Sequence, residues 1–196
     1  MSKKFVLTEV TKEYFGITLY QIKAIRPIER FGIEEGELGG WVEKEDNLDH
    51  SGNAWVYGNA WVSGDARVSG DARVSGNAWV SGDARVSGNA WVSGDARVYG
   101  NAWVSGDARV ESRKHIFVAS SVGSEDGTLT AYMIKTGEIE VTRGCFRGTL
   151  AEFEDAVNRR HRENRHAEEY LVLIQFIKLR FREVTVTAVG GEADEE

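Results

Sequence analysis

Hydrophobic and polar positions recur with a period of six through the middle of the chain. From Ser51 to Val110 a unit reading Ser/Tyr-Gly-Asn/Asp-Ala-Trp/Arg-Val repeats ten times without a gap. Val closes every unit, from Val56 to Val110, and Ala stands two residues before it. In an extended segment, residues two apart share a face. Ala and Val therefore point inward together, and the Trp or Arg between them points outward. Gly holds the second place of every unit, where a backbone without Cβ can turn a corner. Flat side, corner and flat side wind the chain into a coil. Such a unit cannot stand alone, because its backbone groups pair only with the coils above and below.

The flanks have other patterns. Residues 1–40 predict a strand or hairpin cap. Phe5-Val6-Leu7 and the stretch 16–28 favour strand, with Tyr20, Ile22 and Ala24 on one face. Gly36 to Gly40 is a turn cluster. Trp41-Val42 and Leu48 lie at multiples of six from later Ala and Val positions. A degenerate coil therefore starts near Leu38, and the column is expected over 41–112. Residues 113–190 predict an α+β domain with strands near 117–119, 128–135 and 138–142. Thr149 with Glu152 is a capping box, opening a helix with Leu150, Phe153 and Val157 on one stripe. A second helix from about 167 to 182 has a wide apolar face of Tyr170, Leu171, Ile174, Ile177 and Phe181. It is expected to be buried against the strands or a sister subunit. Residues 184–189 read as an edge strand and 191–196 as an acidic tail.

The unit resembles the hexapeptide repeat of left-handed parallel β-helices, with Val as the aliphatic residue and Ala as the small residue four places on. The resemblance implies a mainly β fold: a single-stranded left-handed parallel β-helix, three hexads and 18 residues to each coil, with a small α+β C-terminal domain. The regular column would then be about 15 Å tall at ~4.8 Å between strands. Two further segments resemble proteins of phage and prophage genomes. One is Leu19-Tyr-Gln-Ile-Lys-Ala-Ile running into Gly39-Gly-Trp-Val-Glu. The other is Gly144-Cys-Phe-Arg-Gly-Thr-Leu-Ala-Glu-Phe-Glu, followed by His161, Asn164 and Glu169-Tyr-Leu. That likeness carries no activity with it.

Stacking at 18 residues puts Trp55, Arg73, Trp91 and Arg109 on one side of the column. Trp61, Trp79 and Arg97 fall on the second, and Arg67, Arg85 and Trp103 on the third. An exposed Arg over Trp contributes ~0.5–1 kcal/mol. Asn precedes Trp by two residues, and Asp precedes Arg by two, in all five units of each kind. Each Arg is therefore expected to have its own carboxylate beside it. The five outward indoles are read in two ways: as part of an outer ladder that stiffens the coils, or as an interface with Trp61 and Trp79 as contact residues.

Charge narrows the partners. The net charge of −7 resides in the flanks, since the repeat carries five Arg against five Asp. Nucleic-acid binding by phosphate attraction is disfavoured. One cysteine, Cys145, suits a reducing cytosol. No apolar run approaches a membrane span, and no secretion signal is seen.

Hexapeptide β-helix acyltransferases are similar in using a histidine base beside an interrupting loop. Residues 51–110 contain neither, nor any Cys, Lys or Glu. The carbonic-anhydrase relatives hold a metal with three histidines, which the repeat lacks. Catalytic residues, metal ligands and cofactors are accordingly assigned none. A degenerate acyltransferase is the one enzymatic alternative. His50 and His115 bracket the repeat as polar termini. Cys145 and His161 flank one helix, but ~18 Å of helix separates its start from His161 at ~1.5 Å per residue, too far for a nucleophile–base pair. Arg159, Arg160, His161, Arg162 and Arg165 form a basic knot suited to carboxylate or phosphate.

These features predict a non-enzymatic binding or assembly protein of the host cytosol. It would be a homo-oligomer, with a trimer favoured, whose C-terminal domain recognises a host protein. The alternative is a protein that binds a nucleotide-like or phosphorylated small molecule and blunts a host defence signal.

Overall fold

The structure is a computed structural model and describes residues 3–187. Ten two-residue strands, β4 to β13, occupy the Trp/Arg-Val pair of each unit: Trp55–Val56, Trp61–Val62, Arg67–Val68, Arg73–Val74, Trp79–Val80, Arg85–Val86, Trp91–Val92, Arg97–Val98, Trp103–Val104 and Arg109–Val110. Each pairs in parallel with the strand 18 residues away, as Trp55 does with Arg73 and Arg73 with Trp91. Three sheets result, and the chain is a three-sided β-solenoid with 18-residue coils. The three predicted columns of outward residues form as expected. Every Ala from Ala54 to Ala108 and every Val from Val56 to Val110 is buried. Small inward residues keep the interior slim.

The corners depend on glycine. Gly88 has φ +69°, and a Cβ there would stand 2.8 Å from the backbone N of Gly106, its counterpart one coil on. A side chain would be both strained in φ and pressed into the next coil.

The N-terminal end is closed by a hairpin. Strands β1 (Phe5–Tyr14) and β2 (Ile17–Ala24) are antiparallel, and β2 pairs with β3 (Leu38–Val42). Then β3 runs parallel to β5, so hairpin and second face form one six-stranded sheet. Register shifts in both antiparallel pairs break the alternation, which is why Leu19 is buried along with Ile22 and Ala24. The first coil departs from the spacing read in the sequence. Val42 pairs with Val62 and Leu48 with Val68, twenty residues apart rather than eighteen. Both therefore stack under Val and not under Ala. The two additional residues fall in the corner between Asp49 and Asn53, since Trp55 is already in regular register. Asn47 closes this end, its Nδ2 donating to the carbonyls of Gly64 and Ala66 at 3.0 and 2.9 Å.

The other end is capped by an antiparallel sheet of β14 (Ile116–Val122), β15 (Gly127–Met133), β16 (Ile139–Arg143) and β17 (Phe146–Thr149). The last of these is an element that the sequence pattern does not predict. Side chains from this sheet satisfy the open edge of the column. Thr142 Oγ1 donates to the Trp103 carbonyl at 2.8 Å, and Thr130 Oγ1 accepts from the Trp103 N–H at 3.1 Å. The Ser105 N–H donates to the Tyr132 hydroxyl, which itself donates to Glu140. Unpaired strand edges invite aggregation; hydroxyls replace a strand here.

Helix α1 (Leu150–His161) opens with the expected box, Thr149 accepting from the Glu152 N–H and Glu152 from that of Thr149. Helix α2 (Arg165–Arg180) buries Ala167, Tyr170, Ile174 and Ile177. Its opposite face is less covered than expected: Val172, Phe176 and Leu179 are 69%, 47% and 59% exposed. Residues 184–187 form no strand, and the rest of the expected edge strand and the acidic tail lie outside the described residues.

Candidate functional site

Outward residues of the column differ from the sequence picture in two ways. The indoles are not a shared exposed surface. Trp55 is fully buried, in edge contact with Phe5, and Trp61 is 8% exposed. Trp61 and Trp79 stack at 4.2 Å under Tyr14, whose ring lies 4.7 Å from Trp61. Only Trp103, at 40%, is substantially open. Nor does each Arg hold its own Asp. The strands are two residues long, so Asp sits in the corner turn rather than on the flat face beside its Arg. The carboxylates turn elsewhere: Asp71 to Arg30, Asp65 to Lys44 and Asp107 to Lys135, at 2.8, 2.6 and 2.8 Å. They also meet Asn one coil away, as in Asn53 Nδ2 donating to Asp71 at 2.7 Å. The coupling of Asn to Trp and Asp to Arg thus serves neighbouring coils. Cation–π contacts do form: Arg109 over Trp91 at 4.0 Å and Arg97 over Trp79 at 5.1 Å.

A cleft of about 530 Å³ opens where the second face meets the C-terminal sheet. Trp79, Ser81, Arg97 and Tyr99 form the column side, and Arg113, Phe117 and Arg180 the other. Its lining contains three guanidinium groups and three aromatic rings, and no carboxylate. Register builds the first wall, since Arg97 follows Trp79 by one coil. Arg180 is fixed by donating to the carbonyls of Arg113 and Ile116 at 3.0 and 3.4 Å. Among the described residues Arg113 has only Asp95, at 3.9 Å, as an ion-pair partner. Phe117 is braced by Phe176, with ring centroids 5.1 Å apart. The sequence signal for this cleft existed for Trp79 and Arg97. It was absent for Arg113, Phe117 and Arg180, which only the docking of sheet on column brings near.

The basic knot lies at the α1–α2 junction. Arg159, Arg160, Arg162 and Arg165 are exposed and make no ion pair among the described residues. His161 is half-buried between His166 and Tyr170, ring centroids 5.9 and 5.6 Å away. Desolvation, then the nearby His166 and arginines, lower its pKa. Cys145 is exposed in the turn between β16 and β17.

Both bracketing histidines have structural partners. His115 Nδ1 accepts from the Glu111 N–H, and His50 stacks on Phe5 at 4.4 Å while its Nε2 meets Glu45 at 2.6 Å. Beside His50, buried Lys4 has its pKa lowered to about 8, chiefly by desolvation.

Residues 66–82, 78–94 and 90–106 match the YdcK β-solenoid repeat. The matched windows advance by two hexads and cover only the regular column, so the chain is similar to that family in its spine alone. A comparison with curated proteins finds no match. No helix among the described residues is long and apolar enough to cross a membrane.

Proposed function

We propose that this chain is a non-catalytic binding protein whose cleft takes an anionic ligand with a planar group, of the nucleotide-like or phosphorylated class. One observation carries the reading: three arginines and three aromatic rings line the cleft with no carboxylate among them. Planar guanidinium forks suit phosphate and carboxylate oxygens, and aromatic faces take a planar ring by stacking. The solenoid supplies the rigid wall. Arg97 is the residue to test, because it makes no hydrogen bond or ion pair among the described residues. Calorimetric titration with a panel of nucleotides and sugar phosphates is expected to find a binder, weakened at least about tenfold by Arg97→Ser, the equivalent of ~1.4 kcal/mol. A panel without a binder, or an unaffected Arg97→Ser, overturns the assignment.

A second reading, assembly through a homotrimer, is favoured by the exposed apolar stripe of α2, and the basic knot would then face outward for a host protein. The cytosolic, phage or prophage setting rests on the single cysteine and the two segments named above.

A further inference from the structure

The alternation of Trp and Arg along each face fails twice. Trp61 lies beside Trp79, and Arg67 beside Arg85. At every other step between β4 and β13 a Trp pairs with an Arg. The indole pair is absorbed by the N-terminal hairpin through Tyr14. Neighbouring strands lie about 4.8 Å apart, and like charges directly opposite destabilise a sheet.

Both arginines are exposed, and neither makes an ion pair or hydrogen bond among the described residues. Of the nearby carboxylates, Asp46 and Asp83 make no ion pair among the described residues, and three others are committed. Asp65 holds Lys44, Glu45 holds Lys3 and His50, and Asp49 accepts from the N–H and hydroxyl of Ser51. The pair lines a groove of about 740 Å³ on the third face, with Ser69 and Ser87 along the corner and Trp103 at one end; Lys3 and the carboxylates of Glu45, Asp46 and Asp49 line it too. Trp103 pairs with Arg85 one coil on and is the most open indole of the repeat.

We propose that Arg67 and Arg85 bind the phosphate of a small phosphomonoester whose planar remainder lies on Trp103. A tetrahedral dianion offers oxygens to two stacked forks at once, whereas a lone carboxylate is matched by one fork. Its charge cancels the repulsion that the column otherwise carries. The serine hydroxyls add donors. This site stands on a different face from the cleft and needs none of its residues.

The test is thermal melting of the full chain in an Arg97→Ser background, which weakens any contribution from the cleft. Inorganic phosphate is expected to raise the Tm relative to chloride at equal ionic strength. A nucleoside monophosphate should give the same rise at roughly one tenth the concentration, since stacking adds ~1–3 kcal/mol per base; a sugar phosphate should match inorganic phosphate only. Arg67→Trp restores the alternation. It is expected to melt higher than its background without anion and to lose the phosphate shift. Arg85→Gln keeps chain length and should lose the shift likewise. No shift with phosphate, or an equal shift in both variants, overturns the site. A sugar phosphate as effective as the nucleotide overturns the role of Trp103.

Discussion

At Val80 the column has no space or partner for charge. Its side chain is fully buried, and the inward neighbours are Ala and Val alone. Val80→Asp leaves a carboxylate with nothing to pair it, and is expected to cost more than about 4 kcal/mol. Chemical denaturation should show it unfolded or barely folded; a parent-like midpoint would reverse the inward assignment. Lys4 tests burial from the other direction. Its amine is buried near Arg26, with the Gly52 carbonyl at 3.5 Å, and its pKa falls from 10.5 to about 8. Between those values the unfolded chain holds a proton that the folded chain has released. Stability therefore rises with pH from about 8 towards 10.5. Lys4→Met should flatten that rise in denaturant midpoints measured across the window.

Elements were legible in proportion to how local their cause was. Ten strands followed from one hexad, because inward Ala and Val and corner Gly are stated anew in each unit. The Thr149–Glu152 box placed the start of α1 for the same reason. What was missed depended on long-range events. Strand β17 is short and partly exposed, and exists because β16 offers an edge to it. The two additional residues before Ala54 change no composition and shift only the pairing of Val42 and Leu48. Half of the cleft comes from Arg113, Phe117 and Arg180, distant in sequence from Trp79. The corners give the sharpest test at this scale. Gly88→Ala meets Gly106 N at 2.8 Å, whereas Gly100 has φ +64° but nothing within 4 Å of its ideal Cβ. Gly100→Ala should cost about 1–2 kcal/mol for the left-handed backbone, and Gly88→Ala distinctly more in the same denaturation series. Equal losses would mean the coils do not stack as closely as described.

For the whole molecule, both ends of the solenoid are met within one chain, by Asn47 and the hairpin below and, on the third face, by Thr130, Thr142 and Tyr132 above. Association of copies therefore does not need end-to-end stacking. The open apolar area lies on the flank, in Val172, Phe176 and Leu179 of α2. Sedimentation equilibrium at micromolar concentration is expected to show a trimer that Phe176→Ser with Leu179→Ser reduces to monomer while the melting of the column persists. A parent that sediments as a monomer would remove the assembly reading and leave the cleft unaffected.

Three hexads complete a coil, while from Arg73 onward Trp and Arg units alternate one by one. Copy number in this gene segment is therefore an angular setting. Gaining or losing a single hexad after Arg97 by replication slippage would swing the C-terminal sheet a third of a turn about the column axis relative to the first wall of the cleft. Arg113, Phe117 and Arg180 would then face a wall other than Trp79 and Arg97. Adding one whole coil restores the azimuth but forces two like residues side by side, as already happens at Arg67 and Arg85. Only two coils at once preserve both the bearing of the sheet and the pairing along every face. A lineage carrying this protein can thus lengthen its spine with pairing and bearing intact only in large steps, and each slip of one or two hexads after Arg97 makes a molecule with a differently composed cleft.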